Sequence, residues 1–437
     1  MSGTDKSRRN FIKRSTAGAV TTAITWNAAS YSRVLGSNDR IGVGIVGFSE
    51  RGVDALFPAF LQLASEQNCE IVALSDIWNL HREEGAAWFG KQAGKTPVLA
   101  RNNDELYQMK EVQAVIISTA DHQHALHGVE AVRAGRDAYV EKPLANQVAD
   151  ARAVLKAVKE TNRIVQVGTQ RRSSKVHQLA RDFIQSGEFG QVNMVEMTTN
   201  ANQPMRWRRP KLVEVLRPED TDWKRFVMGR SEESFDPHRY IEYRLYWPYS
   251  SGIPCQWMVH QIDALHFLTG LPHPRSVVAQ GGIYQWRDGR INPDTVTAVF
   301  DYGPLNDSSK GLQAIYSSRM GNSAHSNSDT YYSKDGTLDL SSGKITRDGG
   351  LTERYAKGGW KPSMLAERTL GDEAARRENS VVAHMRNWLE CVRSRMSPVA
   401  DIEAGYNHSV ALCMTIAALH SGKRATFDDL KQQVVLS

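Results

Sequence analysis

The residues with the clearest chemical signature are two glycines, a hydroxyl and an acid. Gly47-Phe48-Ser49-Glu50-Arg51-Gly52 follows directly on the apolar run Ile41-Gly42-Val43-Gly44-Ile45-Val46, and Asp76 closes a second apolar run, Glu70-Ile71-Val72-Ala73-Leu74-Ser75. A glycine at 47 permits a tight turn after a strand. A glycine at 52 lets a following helix pack closely, so that its N-terminal amides face a pyrophosphate. The middle position of such a fingerprint is Ser49, whose hydroxyl stands where backbone would otherwise approach phosphate. Asp76 is placed to accept from a ribose hydroxyl, and an acid there favours NAD, with NADP as the alternative, because a carboxylate repels a 2′-phosphate. The chemistry indicated is dinucleotide binding.

That chemistry needs a strand, a turn and a helix in register. The apolar run 41–46, a helical period over 53–66 and the run 70–75 supply them. Alternation continues with strands at 112–118, 137–140 and 164–167 and helices at 124–134 and 146–160, which predicts a doubly wound parallel sheet over residues 39–168. From 169 to 437 the pattern changes. A helix at 176–186 precedes strands at 191–199, 276–284, 295–302 and 311–317, separated mostly by loops. Helices at 254–269, 379–395 and 401–419 accompany them, and the Gly/Ser/Asp-rich stretches 303–310 and 341–359 read as loops. The expected class is α/β: an N-terminal Rossmann sheet plus a C-terminal α+β domain with a large, mostly antiparallel open sheet.

The chain has 437 residues and a net charge of +6. Its first 40 residues hold seven Lys/Arg against two acids, so the rest is near neutrality and no basic stripe argues for nucleic acid. Ser7-Arg8-Arg9-Asn10-Phe11-Ile12-Lys13, before an Ala/Thr-rich stretch without acids, resembles a twin-arginine export signal. Residues 1–38 are thus expected to engage the twin-arginine export machinery and to take the protein to the periplasm or cell envelope. Cys69, Cys255, Cys391 and Cys413 are too scattered for a zinc motif. His260, Asp263 and His266 spread across a helix, so no metal is expected.

Three further motifs carry a family resemblance. Thr119-Ala120-Asp121-His122-Gln123-His124 and Tyr139-Val140-Glu141-Lys142-Pro143 end predicted strands, and Val167-Gly168-Thr169-Gln170-Arg171 stands at the domain junction. Together with Ser251-Gly252-Ile253-Pro254-Cys255-Gln256-Trp257-Met258-Val259-His260-Gln261-Ile262-Asp263, they resemble the glucose-fructose oxidoreductase and inositol dehydrogenase family over residues 40–437. The resemblance implies NAD contacts from Gly47, Phe48, Ser49, Gly52, Asp76, Thr119, Asp121, His124, Glu141, Lys142 and Gln170. It implies that Lys142 orients a substrate hydroxyl and stabilises developing alkoxide charge, and that His260 is the acid/base. The family has an Asp where this chain has Gln256, one helical turn before His260; an amide can orient a ring or bind a hydroxyl but cannot stabilise an imidazolium.

Aromatic and basic residues crowd Arg206-Trp207-Arg208-Arg209 and the stretch 239–247, chemistry that stacks on sugars and binds hydroxyls or carboxylates. The resemblance therefore implies hydride transfer between a secondary alcohol of a sugar, sugar derivative or inositol and nicotinamide. Two other readings stand beside it: a glycosidase using bound NAD transiently, and a non-catalytic sugar-binding protein. The open sheet of the second domain is expected to make a homo-oligomer.

Overall fold

The computed structural model describes residues 39–304, 307, 310–348 and 363–437; the expected export signal at 1–38 lies outside them. Strands β1 (Ile41–Val46), β2 (Cys69–Ser75), β3 (Val98–Ala100), β4 (Ala114–Ile117), β5 (Asp137–Val140) and β6 (Val165–Val167) form a parallel sheet in the order β3-β2-β1-β4-β5-β6. β1, β4 and β5 are buried along their whole length, which is why they read as unbroken apolar runs rather than alternating ones. The crossover helices are α1 (Phe57–Leu63), α2 (Asn79–Ala93), α3 (Asn103–Gln108), α4 (His124–Arg133) and α5 (Val148–Thr161).

The helix expected over 53–66 is not uniform. Gly52–Leu56 forms a π-helical turn before α1. Pro58, in the first turn of α1, has no N–H to donate back along the helix, and a widened turn before it accommodates that loss. The segment expected to be helical over 254–269 behaves alike: Pro254–Met258 is a π-helical turn, followed by α7 (Val259–Thr269), which stops at Gly270 in the left-handed region.

The second domain opens with α6 (Lys175–Gln185) and builds a ten-stranded sheet. Its strands are β7 (Val192–Asn200), β8 (Ser276–Gly282), β9 (Thr295–Tyr302), β10 (Leu312–Arg319), β11 (Asn327–Ser333), β12 (Gly336–Asp339), β13 (Lys344–Arg347), β14 (Arg368–Thr369), β15 (Ala425–Asp428) and β16 (Gln433–Leu436). The order is β14-β13-β12-β11-β7-β10-β9-β8-β15-β16, antiparallel except for β7 beside β10. β13 falls inside the stretch 341–359 read as a loop; its Ile345 is fully buried while its neighbours face outward, so one apolar side chain holds a strand that composition conceals. α9 (Ile402–Ser421) covers β8, and α8 (Ser380–Ser394) crosses back to the first domain. There Met385, Trp388 and Leu389 complete the core formed by Phe57, Phe60 and Tyr139. Among the described residues no helix is long and apolar enough to cross a membrane.

Residues 201–250 form a strap of short helices laid over the open edge of the first domain. Thr221 makes an isolated bridge to Trp78, and His122 and Gln123 both donate side-chain N–H groups to the Phe226 carbonyl at 2.7 and 2.9 Å. Arg225 donates to both oxygens of Glu130 at 2.5–2.6 Å. Arg209 forks onto Glu50 in the same way.

Candidate active site

The carboxyl ends of β1, β2 and β4 and the underside of the strap enclose one continuous cleft. Its outer part runs from Gly47, Phe48 and Ser49 past Asp76 to Asn103 and His127, roofed by Trp207, Leu212, Phe226, Tyr240 and Ile241. Its inner part is lined by Ser49, Arg51, Thr119, Asp121, Glu141, Lys142, Tyr243, Arg244 and Gln256.

The outer part is built to take a dinucleotide. Gly47 has φ +88°, and a Cβ there would lie 2.7 Å from Thr119 Cγ2, so both conformation and space demand glycine. A Cβ on Gly52 would lie 2.3 Å from the Phe57 ring. Ser49 Oγ accepts from the Gly52 amide at 3.2 Å and its carbonyl accepts from Val53, so the hydroxyl caps the helix start rather than donating outward. Thr119 Oγ1 is buried without a protein partner at the join of the two parts, a polar atom left for a ligand. Asp76 accepts from the Phe48 amide (2.8 Å) and the Trp78 amide (2.9 Å), one on each oxygen. His81 Nδ1 also lies 3.4 Å from Oδ2, so it is Oδ1 that keeps a lone pair, and the carboxylate lines the cleft where a ribose would lie.

In the inner part Lys142 Nζ donates to the Gln256 carbonyl oxygen at 3.1 Å. Burial pushes the ammonium below its ordinary range; Asp121 and Glu141 oppose that shift, while Arg51 and Arg244 add to it. Glu141 is fully committed: it accepts from Arg51 Nε and Gln170 Nε2, both at 3.0 Å, and from the Lys142 amide. Gln170 is buried, donating also to the Tyr139 hydroxyl, so Glu141 and Gln170 support the floor of the site from beneath. His124 likewise has both ring nitrogens against backbone carbonyls, of Pro143 (2.8 Å) and Thr119 (3.1 Å), and fastens the 119–121 loop to the lysine loop.

Of the two roles open to Gln256, orienting the His260 ring is not the one it plays among the described residues. Gln256 Nε2 donates to Asp121 Oδ2 at 2.6 Å and its Oε1 accepts from Arg244 Nε at 3.1 Å. Partners outside the helix, Asp121 and Arg244, take both ends of the amide, so none of it is left for the imidazole one turn on. His260 has no hydrogen-bond partner among the described residues. Burial, then the charges of Lys142, Arg171 and Arg51, hold its imidazole well below its ordinary pKa and therefore neutral at pH 7. Asp263 is structural: fully buried, it accepts from Arg172 Nε and Nη2 at 2.8 and 3.0 Å and faces His408 at 3.3 Å. His266 meets the Tyr302 hydroxyl. Among the described residues no group of three or more His, Cys, Asp or Glu could hold a metal.

Sequence reasoning placed Tyr243 in the aromatic-basic stretch but did not single out Arg51, Asn103, His127 or Ser250, whose hydroxyl donates to Asp121 Oδ2 at 2.6 Å. Arg244 lay within the aromatic-basic stretch, but only the fold turns it towards Gln256.

Residues 41–169 match the family model described as the oxidoreductase family, NAD-binding Rossmann fold. The first domain is thus similar to the NAD-binding Rossmann domains of that family. The inositol 2-dehydrogenase of Salmonella paratyphi B is 32% identical over 176 residues, 39% of this chain and 49% of that protein. A glycosyl hydrolase family 109 protein of Shewanella baltica is 26% identical over 205 residues, 42% of this chain and 44% of that protein. The chain thus spans about half the length of the curated relatives it matches. Beyond the first domain the likeness is one of fold. The WlbA dehydrogenase of Bordetella pertussis, solved with NADH and UDP-GlcNAcA, superposes with a TM-score of 0.64 at 18% identity, covering 89% of this chain and 98% of that one.

Proposed function

We propose that this protein is an NAD-dependent oxidoreductase that interconverts a secondary alcohol and a ketone on a sugar, sugar derivative or inositol. The observation that carries the proposal is Lys142: its ammonium sits in the inner cleft, tied by one hydrogen bond to the Gln256 carbonyl, with N–H donors left for a substrate oxygen. The outer cleft fits NAD, which when bound supplies the hydride acceptor. The acid at Asp76 supports NAD over NADP.

The chain's own residues then divide the work. Lys142 holds the substrate hydroxyl and stabilises negative charge as it develops on that oxygen. His260, neutral at pH 7, takes the hydroxyl proton. Asp121, held by Ser250 and Gln256, supplies negative charge that keeps Lys142 protonated. The strap excludes water. Export by the twin-arginine route and self-association through the second domain's sheet belong to the same proposal, and fractionation with size-exclusion chromatography tests them.

The decisive experiment is nicotinamide absorbance on the purified protein with a panel of polyols, sugars and glycosides, alongside Lys142→Ala. Net reduction of NAD that is lost in the variant is the expected result. Wild-type turnover by Lys142→Ala removes the lysine assignment, and aglycone release without net reduction moves the protein to the glycosidase reading.

A further inference from the structure

Around the inner cleft most guanidinium groups already have a carboxylate. Arg209 forks onto Glu50 at 2.5 and 2.6 Å, Arg51 meets Glu141 at 3.0 Å, and Arg171 meets Asp329 at 2.7 Å. Arg208 is shared between Glu242 and Asp288. Lys142 has Asp121 and Glu141 acting on it.

Among the described residues two do not. The one hydrogen bond that Arg244 makes there runs from Nε to the neutral amide oxygen of Gln256, leaving its terminal nitrogens for the cleft it lines. The one hydrogen bond of Arg206 runs from Nη1 to the amide oxygen of Gln203 at 2.8 Å, and its Nε is buried with no partner. Aromatic faces hold both: Arg206 lies 5.6 Å from the Trp257 ring centroid and 5.9 Å from that of Trp207, and Arg244 lies 4.6 Å from that of Tyr243. Burial and the like charges of Arg244 and Arg209 disfavour the Arg206 cation, with Glu50 offsetting part of that.

Two neighbouring cations that are positioned by rings and amides, and left without an acid, form a receptor for an anion. Their place decides whose anion it is. Arg244 stands where the outer and inner parts of the cleft meet and lines both, but its Nε is fixed on Gln256, beside Lys142, and Trp257, beneath Arg206, is the next residue along; a dinucleotide's phosphates have the amides that follow Gly47.

We infer that the substrate is an anionic carbohydrate, and that Arg206 and Arg244 receive its oxyanion while Lys142 holds the hydroxyl that reacts. The inference rests on the oxidoreductase reading for what happens to that hydroxyl, but not for the anion site itself. A carboxylate suits a planar guanidinium fork, and a phosphate ester offers the same kind of oxygens.

The test is calorimetric titration of the NAD-loaded protein with glucuronate, galacturonate and mannuronate, with their neutral parent hexoses, and with the hexose 6-phosphates, absorbance at the nicotinamide band being read on the same samples. At least one acidic sugar is expected to bind ~10-fold or more tightly than its neutral parent, since hydrogen bonds to charged groups carry that much. Preference for the uronate identifies a carboxylate, and preference for the 6-phosphate a phosphate ester. The preference is expected to vanish in Arg206→Gln and in Arg244→Gln, to persist in part in Arg244→Lys, and to weaken with added salt, while NAD affinity stays unchanged. Equal affinity for acid and parent, binding of neither, or a preference that survives both glutamine variants overturns the inference. Loss of NAD affinity in those variants with the sugar preference intact also overturns it, by assigning the cations to the dinucleotide. Acid binding without nicotinamide reduction keeps the anion site and removes the oxidoreductase reading; reduction by a neutral polyol with no acid preference does the reverse.

Discussion

Gln256 and Asp121, 135 positions apart, join the two domains at the inner end of the cleft through one 2.6 Å hydrogen bond from Nε2 to Oδ2. The carboxylate that the family resemblance places in the helix before His260 is therefore still present beside Lys142. It comes from the loop after β4 and needs an amide, not an acid, as its neighbour. Gln256→Glu is nearly isosteric, keeps an acceptor for Arg244 and sets two carboxylates side by side. The variant is expected to lose about 2 kcal/mol of stability at pH 8, because one charged hydrogen bond is replaced by repulsion. Repulsion raises the pKa of the pair, so the deficit shrinks as pH falls and one proton is shared. Thermal unfolding from pH 8 to pH 5 checks it; a Tm gap that is constant or widens towards pH 5 contradicts the arrangement.

Lys142 should set the alkaline limit of alcohol oxidation. Its folded pKa lies below the ordinary lysine value because burial outweighs Asp121 and Glu141, so the cation needed for the alkoxide is lost as pH rises through that lowered value. Lys142→Ala is expected to lower kcat/KM by about 100-fold or more. In Lys142→Arg residual activity should lack the alkaline limb, because guanidinium does not titrate there. A limb unmoved by the arginine belongs to another group.

The acidic side of the same profile reports on His260. Its depressed pKa keeps the base form present at pH 7, and that form is lost only as pH falls through a value well below 6.5. kcat/KM should therefore stay flat between pH 7 and pH 6. A drop centred at the ordinary histidine value would show that His260 is solvated when it works.

Asp263 carries stability. It is fully buried and accepts two hydrogen bonds from Arg172, with His408 on its other side. Asp263→Asn strands a buried guanidinium and should cost about 3–5 kcal/mol in chemical denaturation. Arg172 first offsets its burial and holds the carboxyl far below the usual range. The ion pair's contribution is thus complete above the unfolded-state value near ~4 and is lost only as pH drops through the depressed folded value.

Arg225 should govern how long the nucleotide stays. Its fork onto Glu130 is the strongest polar tie between the strap and α4, and Glu130 is held down to about 2, against its burial, by His127, Arg225 and Asn103. Arg225→Ala is expected to raise the NAD dissociation rate about tenfold with little change in substrate KM. Stopped-flow displacement of NADH measures it.

Much of this architecture is legible in the sequence because burial on both faces writes itself as unbroken apolar runs. β1 falls where such a run predicts, β9 matches its expected span with alternate side chains buried, and Gly270 ends its helix in the conformation glycine is there to supply. α2 and β3 leave no such trace. The buried positions of α2 are Gly85 and Phe89, too few to show a helical period, and β3 is an edge strand with Val98 and Leu99 exposed. The residues of the cleft could be named one by one, but their partners could not. Asp121 with Gln256, Glu141 with Arg51 and Arg225 with Glu130 are joined by the fold across long stretches of chain. Nor do the two π-helical turns show in the sequence, and Gln256 parts company with His260 because Asp121 and Arg244, from outside the helix, take its amide.

α8 inserts Met385, Trp388 and Leu389 into the core beneath the parallel sheet, so the first domain is finished by residues made long after its own strands. A ribosome delivers residues 41–169 long before residues 380–394. Throughout that interval the nascent sheet holds an uncovered apolar face around Phe57, Phe60 and Tyr139. Completion of the NAD-binding half's core therefore waits on residues 380–394, and until they arrive a chaperone has a surface to hold.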